Sequence, residues 1–263
     1  MSDDKVNVLC LKWGTRYPAY YVNRLYAGVK RNLKRPFRFV CVTNDSREGI
    51  NPEVECVPFI PDPNVFDRKW PNIFSKLTLF KKGFAGLSGP TLCLDVDLLV
   101  TGGLDDFFDY RPGDFCIIHN WIECYKKVFR KIPNIGNSSC FRFEAGTDAS
   151  DGVYRYFLQE IEKTELKPQF SKGSQKLQTR AMFENGKVSW WPDEWVTSFK
   201  RQCIPAFPLN LILTPKFRKG SRIIAFHGHP NVPEAINGYR GKGIPAHLSS
   251  RPAPWVKELW EQV

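Results

Sequence analysis

Two aspartates lie one residue apart inside an apolar stretch of this chain. Within residues 91–100, TLCLDVDLLV, Asp95 and Asp97 flank Val96. If the stretch is one strand buried on both faces, both carboxylates point the same way. At about 5 Å and an effective dielectric of about 20 they would repel by about 3 kcal/mol. A divalent cation that prefers oxygen ligands, Mg²⁺ or Mn²⁺, would remove the repulsion. The alternative is that one aspartate caps the strand or pairs with a lysine.

The elements before this pair predict an open α/β sheet. Residues 6–14 have the apolar pattern of a strand ending in a glycine loop, 18–33 have helical spacing, and 37–43 form a second strand. Strand, helix, strand is the start of a doubly wound unit, in which ligands bind beyond the carboxyl ends of the strands. The residues that follow the two strands are polar or loop-forming: Trp13, Gly14 and Thr15, then Thr43, Asn44 and Asp45.

The remaining pattern predicts one continuous domain over residues 1–263, with a nucleotide-binding half of about 1–110 and an acceptor-side half of about 111–263. A helix over 74–84 carries Lys76 just before the DVD stretch. Further strands are predicted at 54–59, 114–121, 139–143 and 222–228, and further helices at 102–110, 152–163 and 175–184.

Composition and charge restrict the class of protein. Hydrophobic residues make up 42% of the chain, enough for a packed core, and no run of 18 apolar residues predicts a membrane span. An acidic N-terminus and eight dispersed cysteines predict a cytoplasmic protein without disulfides. The net charge of +11 predicts an anionic partner, either a phosphate-bearing small substrate or a membrane surface contacted at most peripherally. No nucleic-acid-binding signature is present, so nucleic acid is not the expected partner.

The order of motifs resembles the GT-A class of nucleotide-sugar glycosyltransferases, close to the retaining family 8 enzymes and related bacterial polysaccharide transferases. The motifs that carry the resemblance are CLKWGTRYPAYYVNRLYAGV, FRFVCVTND, FSKLTLF, CLDVDLLV, GNSSCFRF and AFHGHP. The resemblance implies a GT-A (Rossmann-like) α/β fold, with a mixed, mostly parallel central sheet flanked by helices. It also implies a retaining hexosyltransferase that uses a nucleotide sugar, expected to be a UDP-hexose, and a hydroxyl acceptor on a glycan, a lipid-linked saccharide or a protein.

Site residues follow from the same resemblance. Mn²⁺ or Mg²⁺ would be held on the donor diphosphate by Asp95, Asp97 and His227. The implied catalytic residues are Asp95, Asp97, Lys76 and Gln175. The implied donor-binding residues are Trp13, Gly14, Thr43, Asn44 and Asp45 for the nucleoside, and Lys76, Asn137 and Ser138 for the sugar.

Two departures from the family pattern leave the stereochemistry open. Ser174 precedes Gln175 where related transferases have an aspartate, so a carboxylate is missing on the face of the sugar opposite the leaving group. Asp193 or Glu194 could supply one. The late motif also lacks the family's lysine, so contact with the diphosphate falls to Lys200, Arg218 or Lys242.

Simpler interpretations stand beside these. His227 could be a loop histidine, Lys76 a solvated helix residue and Asn137 part of an ordinary turn. The rival functions are a nucleotide-sugar-binding protein without catalysis, a sugar nucleotidyltransferase and a nucleic-acid binder. The nucleotidyltransferase needs a glycine-rich loop after the first strand, and KWGTRYPAYY has one glycine there.

Overall fold

The computed structural model describes residues 5–59, 72–120, 134–163 and 174–262. Trp121 and Cys124 therefore lie outside the described residues. In these ranges the chain forms ten strands, labelled in order: β1 (Val6–Lys12), β2 (Phe37–Thr43), β3 (Glu55–Pro58), β4 (Gly89–Asp95), β5 (Leu98–Val100), β6 (Phe115–His119), β7 (Gly136–Ala145), β8 (Val188–Trp190), β9 (Val196–Ser198) and β10 (Ile223–Ala225).

Seven of these strands form the central sheet, in the order β3-β2-β1-β4-β7-β6-β8. Strands β1 to β4 are mutually parallel, β8 is parallel to β6, and β7 runs antiparallel to both its neighbours. The prediction of a mixed, mostly parallel α/β sheet is confirmed. Because Lys12 pairs with Thr43 and Leu11 with Asp95, the carboxyl ends of β1, β2 and β4 meet at one edge.

The DVD stretch is not the single strand that its apolar pattern predicts. Strand β4 ends at Asp95, a turn follows at Val96 and Asp97, and β5 begins a second sheet of order β5-β10-β9. The turn takes the chain out of the central sheet, where both faces are covered, and keeps the second carboxylate from being buried within it. Both aspartates thus lie at the sheet edge, on either side of the switch between sheets.

Helices cover the central sheet, as predicted. They are α1 (Ala19–Asn32), α2 (Asp105–Asp109), α3 (Asp148–Lys163), α4 (Ser174–Asn185), α5 (Val232–Asn237) and α6 (Pro254–Trp260). Tyr21, Leu25 and Val29 form the buried stripe of α1, at the expected spacing. The segment predicted as a helix over 74–84 is a 3₁₀-helix, Asn72–Phe80, and Gly83 beyond it has a φ of 76° that no helix continues through.

Hydrophobic residues pack on both faces of the central sheet, which explains why its strands are almost continuously apolar. Along β1, Val8 and Cys10 belong to a cluster with α1 and the second sheet, whereas Leu9 belongs to a cluster with the 3₁₀-helix, α3 and α4. The seven described cysteines are all free. Among the described residues, no helix is both long and apolar enough to cross a bilayer.

One buried cation holds the loop after α2 against the central sheet. Arg142, in the middle of β7, has no exposed surface. Its guanidinium donates hydrogen bonds of 2.5 to 3.1 Å to the carbonyl oxygens of Phe107, Phe108, Tyr110 and Arg111. The ring of Trp191 lies 5.7 Å from the same guanidinium. Backbone carbonyls therefore replace the water around this charge.

We expect Arg142→Met to lower the free energy of unfolding by at least about 3 kcal/mol, because several buried carbonyls lose their donor at once. Urea denaturation followed by circular dichroism measures the change. The matched control is Arg155→Met, whose side chain is 60% exposed and whose effect should stay within about 0.5 kcal/mol. A loss below about 1 kcal/mol for Arg142→Met would show that water satisfies these carbonyls.

Candidate functional site

A cleft of about 320 Å³ lies at the edge where β1 and β4 end. Its described lining combines aromatic, basic and acidic side chains from the two strand ends, the loop after β1 and the 3₁₀-helix. The lining residues are Leu11, Trp13, Arg16, Tyr17, Lys76, Asp95, Val96 and Asp97. The volume suits part of a small ligand, and the acidic pair forms one wall.

The two carboxylates are close enough to affect each other's ionisation. Burial, and next the charge of Asp95, raise the pKa of Asp97 to about 6. The Tyr17 hydroxyl donates a hydrogen bond of 2.7 Å to Asp97 Oδ2, which favours the ionised form in part. Burial, followed by the charge of Asp97, raises the pKa of Tyr17, so its proton stays in this bond. The pair thus retains a repulsion that the protein does not fully neutralise.

Lys76 neutralises part of this charge. Its ammonium forms a short hydrogen bond and ion pair with Asp95 Oδ1 and donates a second hydrogen bond of 3.2 Å to the carbonyl of Ser138. Burial alone would lower the pKa of Lys76, but the charge of Asp95, its hydrogen bond and the charges of other neighbours, Asp97 among them, together outweigh burial and hold this pKa above its usual value. With an 18% exposed side chain, Lys76 is not a solvated helix residue.

The loops after β1 and β2 are joined at the same edge. The amide of Gly14 donates to Asn44 Oδ1 at 2.8 Å, and Lys12 Nζ donates to Asp45 Oδ2 at 2.7 Å. The hydrogen bond from Lys12 lowers the pKa of Asp45. Since the Lys12 side chain is only 3% exposed, this ion pair fixes the loop from beneath. The predicted polar strand ends therefore do come together.

The other two residues predicted for the nucleoside lie beside this junction. Thr43 Oγ1 accepts a hydrogen bond of 3.1 Å from the amide of Asp45, so it shapes the loop after β2. The ring of Trp13 packs edge-on against Phe59 at 4.8 Å between centroids and forms part of the cleft wall. One indole surface in the cleft is thus backed by a second aromatic ring.

Asn137 and Ser138 do not form the ordinary turn that was the simpler interpretation of this segment. Both are buried within β7, beside a shift in its register with β6, and Asn137 Oδ1 accepts from the amide of Ser139 at 2.9 Å. They remain at the site edge, because antiparallel β7 brings its first residues to the end of β4. The hydrogen bond from Lys76 to the Ser138 carbonyl shows that the start of β7 lies beside the acidic cleft.

Gln175 lies in the first turn of α4, which is attached to the same end of β7. Thr179 Oγ1 accepts from the Gly136 amide at 2.9 Å and donates to the Gln175 carbonyl at 2.6 Å. Gln175 is therefore one helical turn from the start of β7. Ser174 begins α4, and its side chain lies outside the described atoms.

His227 leaves the second sheet next to the acidic turn. Ala225 of β10 pairs with Leu98 of β5, so the residues after Ala225 and those before Leu98 run along the same end. His227 Nε2 is hydrogen-bonded to Ser198 Oγ at 2.6 Å. Burial, then the charges of Lys200 and Arg201, lower the pKa of His227 to about 4, so the imidazole is neutral at pH 7. A neutral imidazole is the form that binds metal ions.

The residues present fit a divalent cation in part. In the described ranges, no three His, Cys, Asp or Glu side chains are grouped as metal ligands. The predicted set of Asp95, Asp97 and His227 therefore stays a prediction. Its carboxylate half is assembled, since Asp95 and Asp97 line the same cleft, where a bound cation would relieve their mutual repulsion.

Other candidates from the sequence lie elsewhere. Asp193, Glu194 and Arg218 line a larger cleft of about 800 Å³ that shares no described lining residue with the acidic one. Lys200 lies in a π-helical turn, Phe199–Cys203, close enough to His227 to affect its pKa. Lys242 lines neither cleft. The larger cleft is the roomier one, but the chemistry is concentrated in the smaller.

Three residues of the site were missed in the sequence. The pattern over 6–14 places Lys12 in a strand that ends in a glycine loop, and Arg16 and Tyr17 fall between that stretch and the predicted helix without an assigned role. A signal existed for the last two, because the loop after the first strand was already expected to bind ligand. For Lys12 the signal was weaker: a cation at the end of a buried strand that is apolar apart from Asn7 needs an anionic partner.

Comparison with known proteins supports the fold and leaves the activity open. No family model matches the chain, and no curated protein matches its sequence. Among solved structures, the bifunctional glycosyltransferase WbbM superposes with a TM-score of 0.59 at 12% identity, covering 99% of this chain and 52% of that one. The galactosyltransferase LgtC, in complex with donor and acceptor sugar analogues, gives 0.53 at 12% identity, covering 98% and 96%. GlyE of Streptococcus pneumoniae TIGR4 gives 0.59 at 13% identity, covering 98% and 60%.

This chain thus has the fold of these glycosyltransferases, spanning about half the length of WbbM and nearly all of LgtC. The expected GT-A-like architecture is confirmed. Identities of 12% to 13% carry the fold alone.

We expect Asp97→Asn to stabilise the protein in EDTA at pH 7.5. The folded-state pKa of about 6 lies above the value of about 3.9 in an unfolded chain. The folded state therefore binds the extra proton, and stability falls as the pH rises from about 4 to about 6. The amide removes that loss, raising the free energy of unfolding by about 1 to 3 kcal/mol at pH 7.5 and by almost nothing at pH 4.

Chemical denaturation at the two pH values tests this expectation. The control is Asp193→Asn, an exposed aspartate, which should change little at either pH. A gain from Asp97→Asn that is equal at pH 4 and pH 7.5 would show that ionisation of Asp97 is not its cause.

Proposed function

We propose that this protein is a metal-dependent glycosyltransferase that moves a hexose from a nucleotide sugar, with a UDP-hexose as the expected donor, to a hydroxyl acceptor on a glycan, lipid-linked saccharide or protein. The observation that carries the proposal is the partly neutralised pair Asp95 and Asp97, beside Lys76, at the carboxyl edge of a sheet shared with known glycosyltransferases. A diphosphate bound at this edge of the sheet would need cations to balance its charge, and the nucleoside would be bound by the loops that follow the strands.

The joined loops after β1 and β2 would hold the nucleoside. Asn44 fixes the backbone at Gly14, and Lys12 fixes Asp45, so the two loops form one preorganised wall. Trp13 offers an aromatic face to a base, and stacking of this kind tolerates several bases. Asp45 is positioned to accept hydrogen bonds from ribose hydroxyls, since its ion pair keeps it ionised.

Asp95 and Asp97 would hold Mn²⁺ or Mg²⁺, with His227 as the third ligand. A bound divalent cation supplies stabilisation of the negative charge that develops on the leaving diphosphate. Lys76 orients Asp95 and adds positive charge, and Tyr17 orients Asp97 through its 2.7 Å hydrogen bond. Both neighbours hold the carboxylates in place before the donor arrives, which lowers the cost of ordering them.

The sugar would lie towards the start of β7 and α4, near Asn137, Ser138 and Gln175. With Ser174 where relatives have an aspartate, a retaining reaction proceeds by attack on the same face as the leaving group. The acceptor oxygen then bonds to the anomeric carbon, the bond from that carbon to the phosphate oxygen breaks, and the hydroxyl proton passes to the leaving phosphate. No nucleophile from the chain is needed for this route.

A second candidate function is a nucleotide-sugar-binding protein without catalysis, which Ser174 favours. The two are separated by incubating the purified protein with Mn²⁺ and a panel of nucleotide sugars and measuring the release of nucleoside diphosphate. A transferase releases nucleoside diphosphate slowly when water replaces the acceptor, and faster when a suitable acceptor is present. Binding of UDP with Mn²⁺, without release from any donor, would assign the second function instead.

We expect Asp97→Ala to reduce Mn²⁺-dependent release of nucleoside diphosphate by at least about 100-fold, since charge stabilisation of the leaving group is lost. The fold should remain, as judged by circular dichroism. Asp109→Ala removes an acidic side chain that is 62% exposed and ion-paired with Arg35, and it should keep full activity. Undiminished metal-dependent activity in Asp97→Ala would rule out the assignment of this pair.

We expect Trp13→Ala to weaken UDP binding about 10-fold, because base stacking on an aromatic ring contributes about 1 to 3 kcal/mol. Trp13→Phe keeps an aromatic face and should recover most of the affinity. Isothermal titration with UDP and Mn²⁺ measures both, and Tyr20→Ala, at a 41% exposed aromatic residue, is the control. Equal affinity for the Ala and Phe variants would show that Trp13 does not stack on the base.

A further inference from the structure

Exposed apolar side chains are concentrated in one short segment of the second half of the chain. Six of the nine large hydrophobic residues that the described structure leaves exposed fall between positions 207 and 217. We call them the apolar ridge: Phe207, Leu209, Leu211, Ile212, Leu213 and Phe217, with exposures of 41% to 67%. An exposed cluster of this size marks an interaction surface more often than scattered single residues do.

The backbone of the apolar ridge is held by hydrogen bonds to the rest of the fold, while the ridge side chains stay exposed. Asn210 is 1% exposed, and its Nδ2 donates to the carbonyls of Ala246 and Ser249 at 2.8 and 2.9 Å. Trp255 Nε1 donates to the carbonyl of Pro215 at 3.0 Å. Because these hydrogen bonds fix the backbone of the segment, the neighbouring apolar side chains remain exposed to solvent.

Positive charge surrounds the apolar ridge. Residues 195–257 contain ten lysines and arginines and a single acidic residue, Glu234; with Asp193, Glu194 and Glu258 at the two ends, residues 193–258 carry a net charge of +6 out of the chain's +11. Lys216, Arg218 and Lys219 are exposed, directly beside the ridge. Within the described ranges, none of these three side chains forms an ion pair. The excess charge is therefore available to an external anion.

We propose that the apolar ridge and its flanking cations dock this protein onto the surface of an anionic phospholipid bilayer. Protruding apolar side chains enter the boundary between headgroups and acyl chains, while lysines and arginines remain at the anionic headgroups. The combination suits a bilayer better than a second copy of the chain, because two surfaces of the same positive charge repel each other.

The docking surface is separate from the acidic cleft. The ridge residues Leu213 and Phe217 and the three flanking cations line the larger cleft of about 800 Å³, and none of them lines the smaller. Membrane binding therefore needs neither donor nor metal. Failure of this inference leaves the proposed transferase activity untouched, and the reverse also holds.

The test is cosedimentation of the full chain with vesicles, without nucleotide. We expect binding to vesicles of phosphatidylcholine that contain about one-third phosphatidylglycerol, and at least about 10-fold weaker binding to phosphatidylcholine alone. Raising NaCl from about 0.1 M to about 0.5 M should release most of the bound protein, since the Debye length falls well below 10 Å. Equal binding to the two lipids, or none to either, overturns the proposal.

Two pairs of substitutions assign the surface. Ile212→Ser with Leu213→Ser removes apolar groups, and Lys216→Glu with Lys219→Glu reverses charge; we expect each pair to weaken binding at least about 10-fold. The matched controls are Phe183→Ser, at an apolar residue 45% exposed on α4, and Lys5→Glu with Lys176→Glu, at exposed lysines elsewhere. These should bind as the parent protein does.

Circular dichroism confirms folding of each variant, and the two pairs are independent, so loss of one to misfolding leaves the other. Binding that is unchanged in both pairs, or equally weakened in the controls, overturns the assignment. Sedimentation velocity tests whether the ridge instead binds a second copy of the chain. If the parent protein is a dimer and Ile212→Ser with Leu213→Ser makes it a monomer, the ridge is a dimer interface and the membrane proposal is overturned.

Discussion

The ammonium of Lys76 connects three elements at one edge of the central sheet, and the site depends on it. It joins the 3₁₀-helix, the last residue of β4 through Asp95, and the third residue of β7 through the Ser138 carbonyl. Without this cation, neither aspartate would have an ion-pair partner among the described residues, and the Tyr17 hydroxyl would be their one described side-chain hydrogen-bond donor. Lys76 is ion-paired with Asp95 alone, and Asp97 has no ion pair within the described part of the chain. That unpaired carboxylate is the reason for proposing that a divalent cation binds at this edge.

Much of the fold followed from the sequence because local pattern and tertiary environment agree there. In β1, α1 and β2 the apolar period matches the faces that are buried, so the predicted bounds lie within two residues of the observed ones. The prediction of a single strand over 91–100 was wrong, because a continuous apolar run indicates that residues are buried but not to which sheet they belong. Strands β4 and β5 are both buried, yet they belong to different sheets, and only the pairing of β5 with β10 reveals the break.

The parts of the site that could be predicted are those where the sheet topology brings residues together. The ends of neighbouring parallel strands meet, so a contact between the loops after β1 and β2, such as that of Gly14 with Asn44, was expected. Lys12 and Tyr17 were not, because their partners, Asp45 and Asp97, lie 33 and 80 residues away and no period connects them. The position of His227 likewise depends on the pairing of β10 with β5. A strand of only three residues has too short a pattern for this pairing to be predicted from the sequence.

The distribution of charge changes how the net +11 is understood. From the sequence, a phosphate-bearing substrate and a membrane surface explained it equally. The acidic cleft has Lys76 and Arg16 in its lining, two cations against two carboxylates, so the cleft itself holds no excess of positive charge. The excess of positive charge lies in residues 195–257, beside exposed apolar side chains, which are not needed to bind a small phosphate. The basic residues of this chain therefore serve two purposes. Those in the cleft balance the carboxylates at the sheet edge, and those on the other surface suit an extended anionic partner.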